Sequence, residues 1–112
     1  MKKRIIGFIF FWALGAVTLF ARADEKEKFK VAGNCGMCET RIEKAAKGVE
    51  GVQLADWDKE TKMIEVTFNS EQTDSDQIQK AIAKAGHDTP EHKASDKVYD
   101  ELPGCCKYER ME

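Results

Sequence analysis

Cys35 and Cys38 enclose two residues in Ala32-Gly33-Asn34-Cys35-Gly36-Met37-Cys38, between a short β-like run and an amphipathic helical stretch. That placement puts both sulfurs at a helix start, where unpaired backbone N–H groups and the positive end of the dipole favour thiolate over thiol. A deprotonated pair either grips a soft metal ion or cycles between dithiol and disulfide. Two thiolates on a loop offer low coordination, which suits monovalent copper or divalent mercury better than zinc, which prefers four ligands. A second pair, Cys105 and Cys106, follows Pro103-Gly104 in the C-terminal tail. Side chains of adjacent cysteines diverge, so one at a time is expected to join the first pair, raising affinity and slowing release. The alternatives for the tail pair are a vicinal disulfide or a bridge back to Cys35 or Cys38. His87 offers a neutral imidazole as a further donor. The metal ligands read from the sequence are therefore Cys35, Cys38, Cys105, Cys106 and His87, for Cu(I) first and Hg(II) or Zn(II) as alternatives.

Other side chains carry blander expectations. Met37 holds a thioether that copper would accept, but a Met at a helix start is expected to pack. His92, between Glu91 and Lys93, is expected to face solvent, and Asp56, Asp58 and Glu60 read as a solvated turn. Tyr99 and Tyr108 are expected to pin the tail to the body. No Ser, His and Asp constellation, phosphate-cradling Gly loop or paired catalytic carboxylates are present, so the chain is expected not to be an enzyme. The competing class is a thiol–disulfide oxidoreductase. Against it, both prolines, Pro90 and Pro103, follow the second helix, and the cysteines lack a Trp-Cys-Gly-Pro-Cys context.

The N-terminus reads as an export signal: Lys2, Lys3 and Arg4, then an apolar run from Ile5 to Phe20, then Ala21-Arg22-Ala23 as a cleavage site. The product is expected in the periplasm or otherwise outside the cytoplasm, with no stable membrane insertion after cleavage behind Ala23; a retained N-terminal anchor is the alternative. Cleavage removes Lys2, Lys3, Arg4 and Arg22 from a chain of 18 basic and 20 acidic residues, taking the net charge from −2 to −6. An acidic domain of this kind repels phosphate backbones, so nucleic acid is excluded as a partner.

The elements must hold the sulfurs in place. Phe29-Lys30-Val31 reads as a strand after a frayed charged stretch, Asp24 to Lys28. Ile42, Ala45, Ala46 and Val49 recur at helical spacing, with Glu39, Arg41, Glu43, Lys44 and Lys47 assigned to the solvent side and Gly48 as the stop. Val52, Ala55 and Trp57 face inward on a second strand. Ile64, Val66 and Phe68 alternate with Glu65 and Thr67 on a third. Ile78, Ala81, Ile82 and Ala85 mark a second helix with Asp74 or Ser75 as N-cap and Gly86 as stop. A weak edge strand over 87–94 would complete an α+β, ferredoxin-like βαββαβ sandwich, an antiparallel sheet with two helices on one face. A short helix over 95–102 leads into the tail. The organisation is a signal peptide at 1–23, one domain at 24–94 and a C-terminal extension at 95–112.

With Cys35-Gly36-Met37-Cys38 between the first strand and helix, and Ile42-Glu43-Lys44-Ala45, Gly48-Val49, Gly51-Val52 and Ala85-Gly86 downstream, the chain resembles the heavy-metal-associated domain. That family includes copper chaperones, modules of copper-transporting ATPases and periplasmic mercury-binding proteins. The resemblance covers about Lys28 to Asp88. It implies a metallochaperone or scavenger that delivers its ion to a metal-transporting ATPase, an efflux component or another metal-binding domain, as a monomer or a metal-bridged dimer. Three positions depart from the family pattern. Gly33-Asn34 stand where Met-Thr usually precedes the first Cys, and His87 stands where most relatives carry an aromatic residue.

Overall fold

The sheet grows from the strand with the clearest alternation. In a computed structural model describing residues 24–111, β3 (Met63–Asn69) buries Ile64, Val66 and Phe68 and turns Glu65 to solvent. It is the central strand. β1 (Asp24–Lys30) and β2 (Val52–Trp57) flank it, both antiparallel, in the order β1-β3-β2. The leader expected at 1–23 lies outside the described residues, among which no helix is long and apolar enough to cross a membrane.

The odd spacing of Val52, Ala55 and Trp57 has a physical cause. Val52 pairs with Phe68 but Leu54 already pairs with Thr67, so Gln53 is the extra residue of a bulge, and Ala55 and Trp57 return to the inner face opposite Val66 and Ile64. β1 corrects the expectation of a frayed start. Although only Phe29 is buried, the strand begins at Asp24 and pairs residue for residue with β3, setting Lys28 opposite Glu65. Ladder hydrogen bonds hold a charged edge that hydrophobic patterning cannot detect.

The helices cover one face. α1 (Gly36–Lys47) buries Cys38, Ile42 and Ala46; α2 (Ser75–Lys84) buries Ile78, Ile82 and Ala83. Asp74 is the N-cap of α2, its carboxylate accepting the Gln77 N–H at 2.9 Å. Gly86, at φ 114°, reverses the chain after α2 in a conformation other residues adopt poorly. The core joins these positions to Phe29, Val31, Trp57 and the inner face of β3. This is the α+β ferredoxin-like arrangement.

The fourth strand does not form, and side chains take its place. Ala32 N–H donates to the Asp88 carbonyl at 3.0 Å, as a ladder would require. The Ala32 carbonyl, however, meets Nδ1 of the His87 ring at 2.9 Å. The Asp88 N–H donates to the Tyr108 hydroxyl at 3.0 Å, and that hydroxyl donates to the Gly86 carbonyl at 2.6 Å. Residues 87–94 are thus tied down by the tail rather than by a neighbouring strand. The tail itself runs through α3 (Asp96–Asp100), capped by Ser95, and a 3₁₀ turn (Gly104–Cys106), and sends Leu102, Cys106 and Tyr108 into the common core.

Candidate metal centre

Gly33 sets the height of the metal loop. A Cβ there would lie 3.1 Å from the Trp57 ring and 3.2 Å from Ile42 Cδ1, so any side chain at this position would push those groups back by a few tenths of an ångström. Trp57 is fixed from the other side, its Nε1–H donating to the Val31 carbonyl at 3.0 Å. Cys35 then adopts extended backbone, φ −137° and ψ 179°, and becomes the residue from which α1 starts. One helical turn later Cys38 is fully buried, its sulfur 3.6 Å from that of Cys35.

The tail delivers the other two sulfurs to the same point. Cys35 Sγ lies 3.3 Å from Cys105 Sγ and 3.7 Å from Cys106 Sγ, Cys105 and Cys106 are 4.0 Å apart, and Cys38 and Cys106 approach to 2.6 Å. All four are free thiols. Sulfurs at about 2.3 Å from a common ion would stand roughly 3.8 Å apart in a tetrahedron and roughly 4.0 Å apart in a triangle. Most of the observed spacings are close to those values. The Cys38–Cys106 pair is tighter, and an ion between them would spread it by about an ångström. Both tail cysteines therefore reach the loop together, where the sequence suggested one at a time.

The four sulfurs are electrically unequal. Cys35 is lowered to about 6, chiefly by the Cys38 backbone N–H and then by hydrogen bonding with Cys105. Burial, followed by the Cys106 contact, pushes Cys38 up to about 11. Cys105 is raised, first by its bond with Cys35, and Cys106 is raised by burial. At neutral pH the cluster holds one thiolate among three thiols, so further metal–sulfur bonds form with release of protons.

Arg41 is a residue that helical periodicity placed wrongly. It is half-buried, and its Nη1 donates to Cys106 Sγ at 3.3 Å. A guanidinium placed there would offset negative charge on the sulfurs around any bound ion. Only the returning tail turns this side of α1 into part of the site.

The tail is anchored by a carboxylate. Asp88 is fully buried; its oxygens accept from the Ala94 N–H at 2.9 Å, the Met111 N–H at 3.0 Å and the Arg110 fork at 2.8 and 3.1 Å. Burial pushes the Asp88 carboxyl up, but Arg110 and these two N–H groups outweigh it and hold it below its ordinary value. Tyr99 and Tyr108 do pin the tail: their rings meet edge to face at 5.0 Å, and the Tyr99 hydroxyl donates to the Tyr108 carbonyl at 2.6 Å. No sequence motif marks the Asp88–Arg110 pair.

His87 is not brought into the sulfur group. Its ring is fully buried, stacks on Tyr108 at 5.3 Å and points Nδ1 at the Ala32 carbonyl, which makes Nδ1–H the donor and leaves Nε2 with no partner. Burial lowers its pKa, so the ring is neutral. His92 instead pairs with Asp76 at 2.8 Å, partly exposed.

Comparison with known proteins matches the part of the chain that carries Cys35 and Cys38. The family model for the heavy-metal-associated domain matches residues 28–88. Similar solved structures include a CopZ metallochaperone, 29% identical with TM-score 0.56, the match covering 58% of this chain and 98% of that one. Oxidized MerP from Ralstonia metallidurans CH34 is 34% identical with TM-score 0.57, covering 60% and 94%. The N-terminal domain of a potential copper-translocating P-type ATPase from Bacillus subtilis, solved in the Cu(I)-loaded state, is 28% identical with TM-score 0.56, covering 59% and 84%. No curated protein matches.

Proposed function

The chain belongs to the heavy-metal-associated domain family, and from that premise we propose that it is an exported carrier of a soft metal ion, Cu(I) before Hg(II) or Zn(II), that passes its cargo to a transport partner. The observation that carries this reading is the convergence of four unbridged sulfurs from segments roughly 70 residues apart, with neighbouring spacings up to 4.0 Å. Cys35, the one thiolate, makes the first bond. Cys38 and Cys106 complete an inner set, and Cys105 closes it from the solvent side. A soft monovalent ion accepts three or four such donors, and Arg41 offsets part of their charge.

His87 belongs to the proposal as a reserve donor, because its buried Nε2 has no hydrogen-bond partner while Nδ1 is engaged by the Ala32 carbonyl. Export to the periplasm rests on the leader read in the sequence. The recipient is a metal-transporting ATPase, an efflux component or another metal-binding domain, as the similarity to CopZ and to the ATPase domain suggests. The monomer is favoured over a metal-bridged dimer, since the tail supplies sulfurs that a second copy would otherwise bring.

Native mass spectrometry of the reduced protein, offered copper, zinc and mercury in competition, tests the reading. One Cu(I) per chain, retained against a chelator, is the expected result. Failure to take up any thiophilic ion after mild reduction would overturn it.

A further inference from the structure

Among the described residues, Met37 is one of two large apolar side chains left in the open, at 53% exposure. The packing role expected for it is absent, yet its sulfur is engaged: Cys105 Sγ lies 4.0 Å from Met37 Sδ. Cys105, in turn, is the exposed member of the cluster and lies 3.3 Å from Cys35. Three soft sulfur donors, the Met37 thioether and the Cys105 and Cys35 side chains, therefore line the rim. Beneath them Cys38 and Cys106 are fully buried, and Cys35 lies within 3.7 Å of each of the other three cysteine sulfurs.

We propose that Met37, Cys105 and Cys35 form an outer station for a soft monovalent ion, sharing Cys35 and Cys105 with an inner station that Cys38 and Cys106 complete. This deepens the carrier reading and rests on it. An arriving ion binds the Cys35 and Cys105 sulfurs as thiolates, any proton they hold passing to solvent, and the neutral Met37 thioether at the surface. It then moves inward as Cys38 and Cys106 displace Met37, the two buried thiols giving their protons to solvent, and Cys105 stays as the ligand on the solvent side. Cys35 stays bonded throughout, and no electron changes hands. Departure reverses the order, so a partner's thiolate meets the ion while its weakest ligand, the thioether, is the one displaced. Thioethers accept Cu(I) and Ag(I) and disfavour zinc, so the outer station also selects among ions on the way in.

The test uses the purified protein with its methionine methyl groups carrying ¹³C, and Ag(I) as a redox-inert monovalent probe. Addition of up to two equivalents is expected to move the Met37 methyl resonance and leave Met63, on β3, in place. Zn(II) at equal occupancy should leave Met37 where it was. Met37→Leu, an exposed substitution that the fold tolerates, is expected to slow transfer of Ag(I) to a competing thiol roughly fivefold, a barrier change of about 1 kcal/mol. A Met37 methyl indifferent to Ag(I), one shifted equally by Zn(II), or an unchanged transfer rate in Met37→Leu overturns the outer station. Native mass spectra of the same samples separate the two ideas. If Ag(I) binds while Met37 is indifferent, only the outer station fails; if no Ag(I) binds, the carrier reading fails with it.

Discussion

The two cysteine pairs reach the same place by different means. Cys35 and Cys38 are built into a strand–loop–helix unit, so their positions follow from α1, from Gly33 against Trp57 and from the sheet beneath. Cys105 and Cys106 ride on a short segment whose position depends on side chains, namely Asp88 with Arg110 and the Tyr99–Tyr108 contact. The charges differ as well. The helix start supplies the one low-pKa sulfur, whereas both tail thiols are raised. A backbone-built pair can serve as a permanent grip, while a side-chain-held pair can serve as a strap that comes and goes.

The largest expected effect attacks the grip. Changing Cys35 and Cys38 together to Ser should lower ion retention at least about a hundredfold, measured by competition with a chelator, because the thiolate that starts binding and the buried sulfur behind it are both lost. Next comes the strap's anchor. Asp88→Asn leaves the half-buried Arg110 charge with only the exposed Asp96 opposite it and should cost about 3 kcal/mol in denaturant unfolding, with loss of amide protection at Ala94 and Met111. The same linkage sets a pH dependence: the folded Asp88 pKa lies below its unfolded value, so the contribution is full at neutral pH and is lost as pH falls below the ordinary aspartate range.

Cys105→Ser, on an exposed side chain, should weaken retention about tenfold without changing the unfolding midpoint. Equal retention would show that Cys105 is no ligand and that Cys106 is the strap's one donor. The smallest effect sharpens the electrical contrast. In the metal-free protein, alkylation of Cys35 should rise with a midpoint near pH 6, while Cys38 stays unreactive until about pH 11, read by peptide mass after timed labelling. Simultaneous labelling of both would remove the asymmetry on which the comparison rests.

Much of the grip was readable in advance because it is local. Ile42 and Ala46 announced α1, Ile64, Val66 and Phe68 announced β3, and the spacing of Cys35 and Cys38 carried its own chemistry. The strap was not local, and it altered the reading of everything it touches. Arg41 looked like a solvent-side residue until the tail placed Cys106 beside it. The strand expected at 87–94 is missing because Tyr108, twenty residues later, takes the Asp88 N–H. Asp88 and Arg110 follow no periodicity that could pair them, and β1 extends through charged residues whose partners are backbone groups on β3.

An ion held jointly by Cys38 and Cys106 would tie together residues 68 positions apart. A covalent link closing a ring of that length restricts the unfolded chain by on the order of 4 kcal/mol, and a metal bridge acts in the same sense for as long as it lasts. Loading is therefore also a reversible staple. Heat resistance should climb when cargo arrives and drop when it leaves, so a melting curve reports occupancy even for ions that absorb no light.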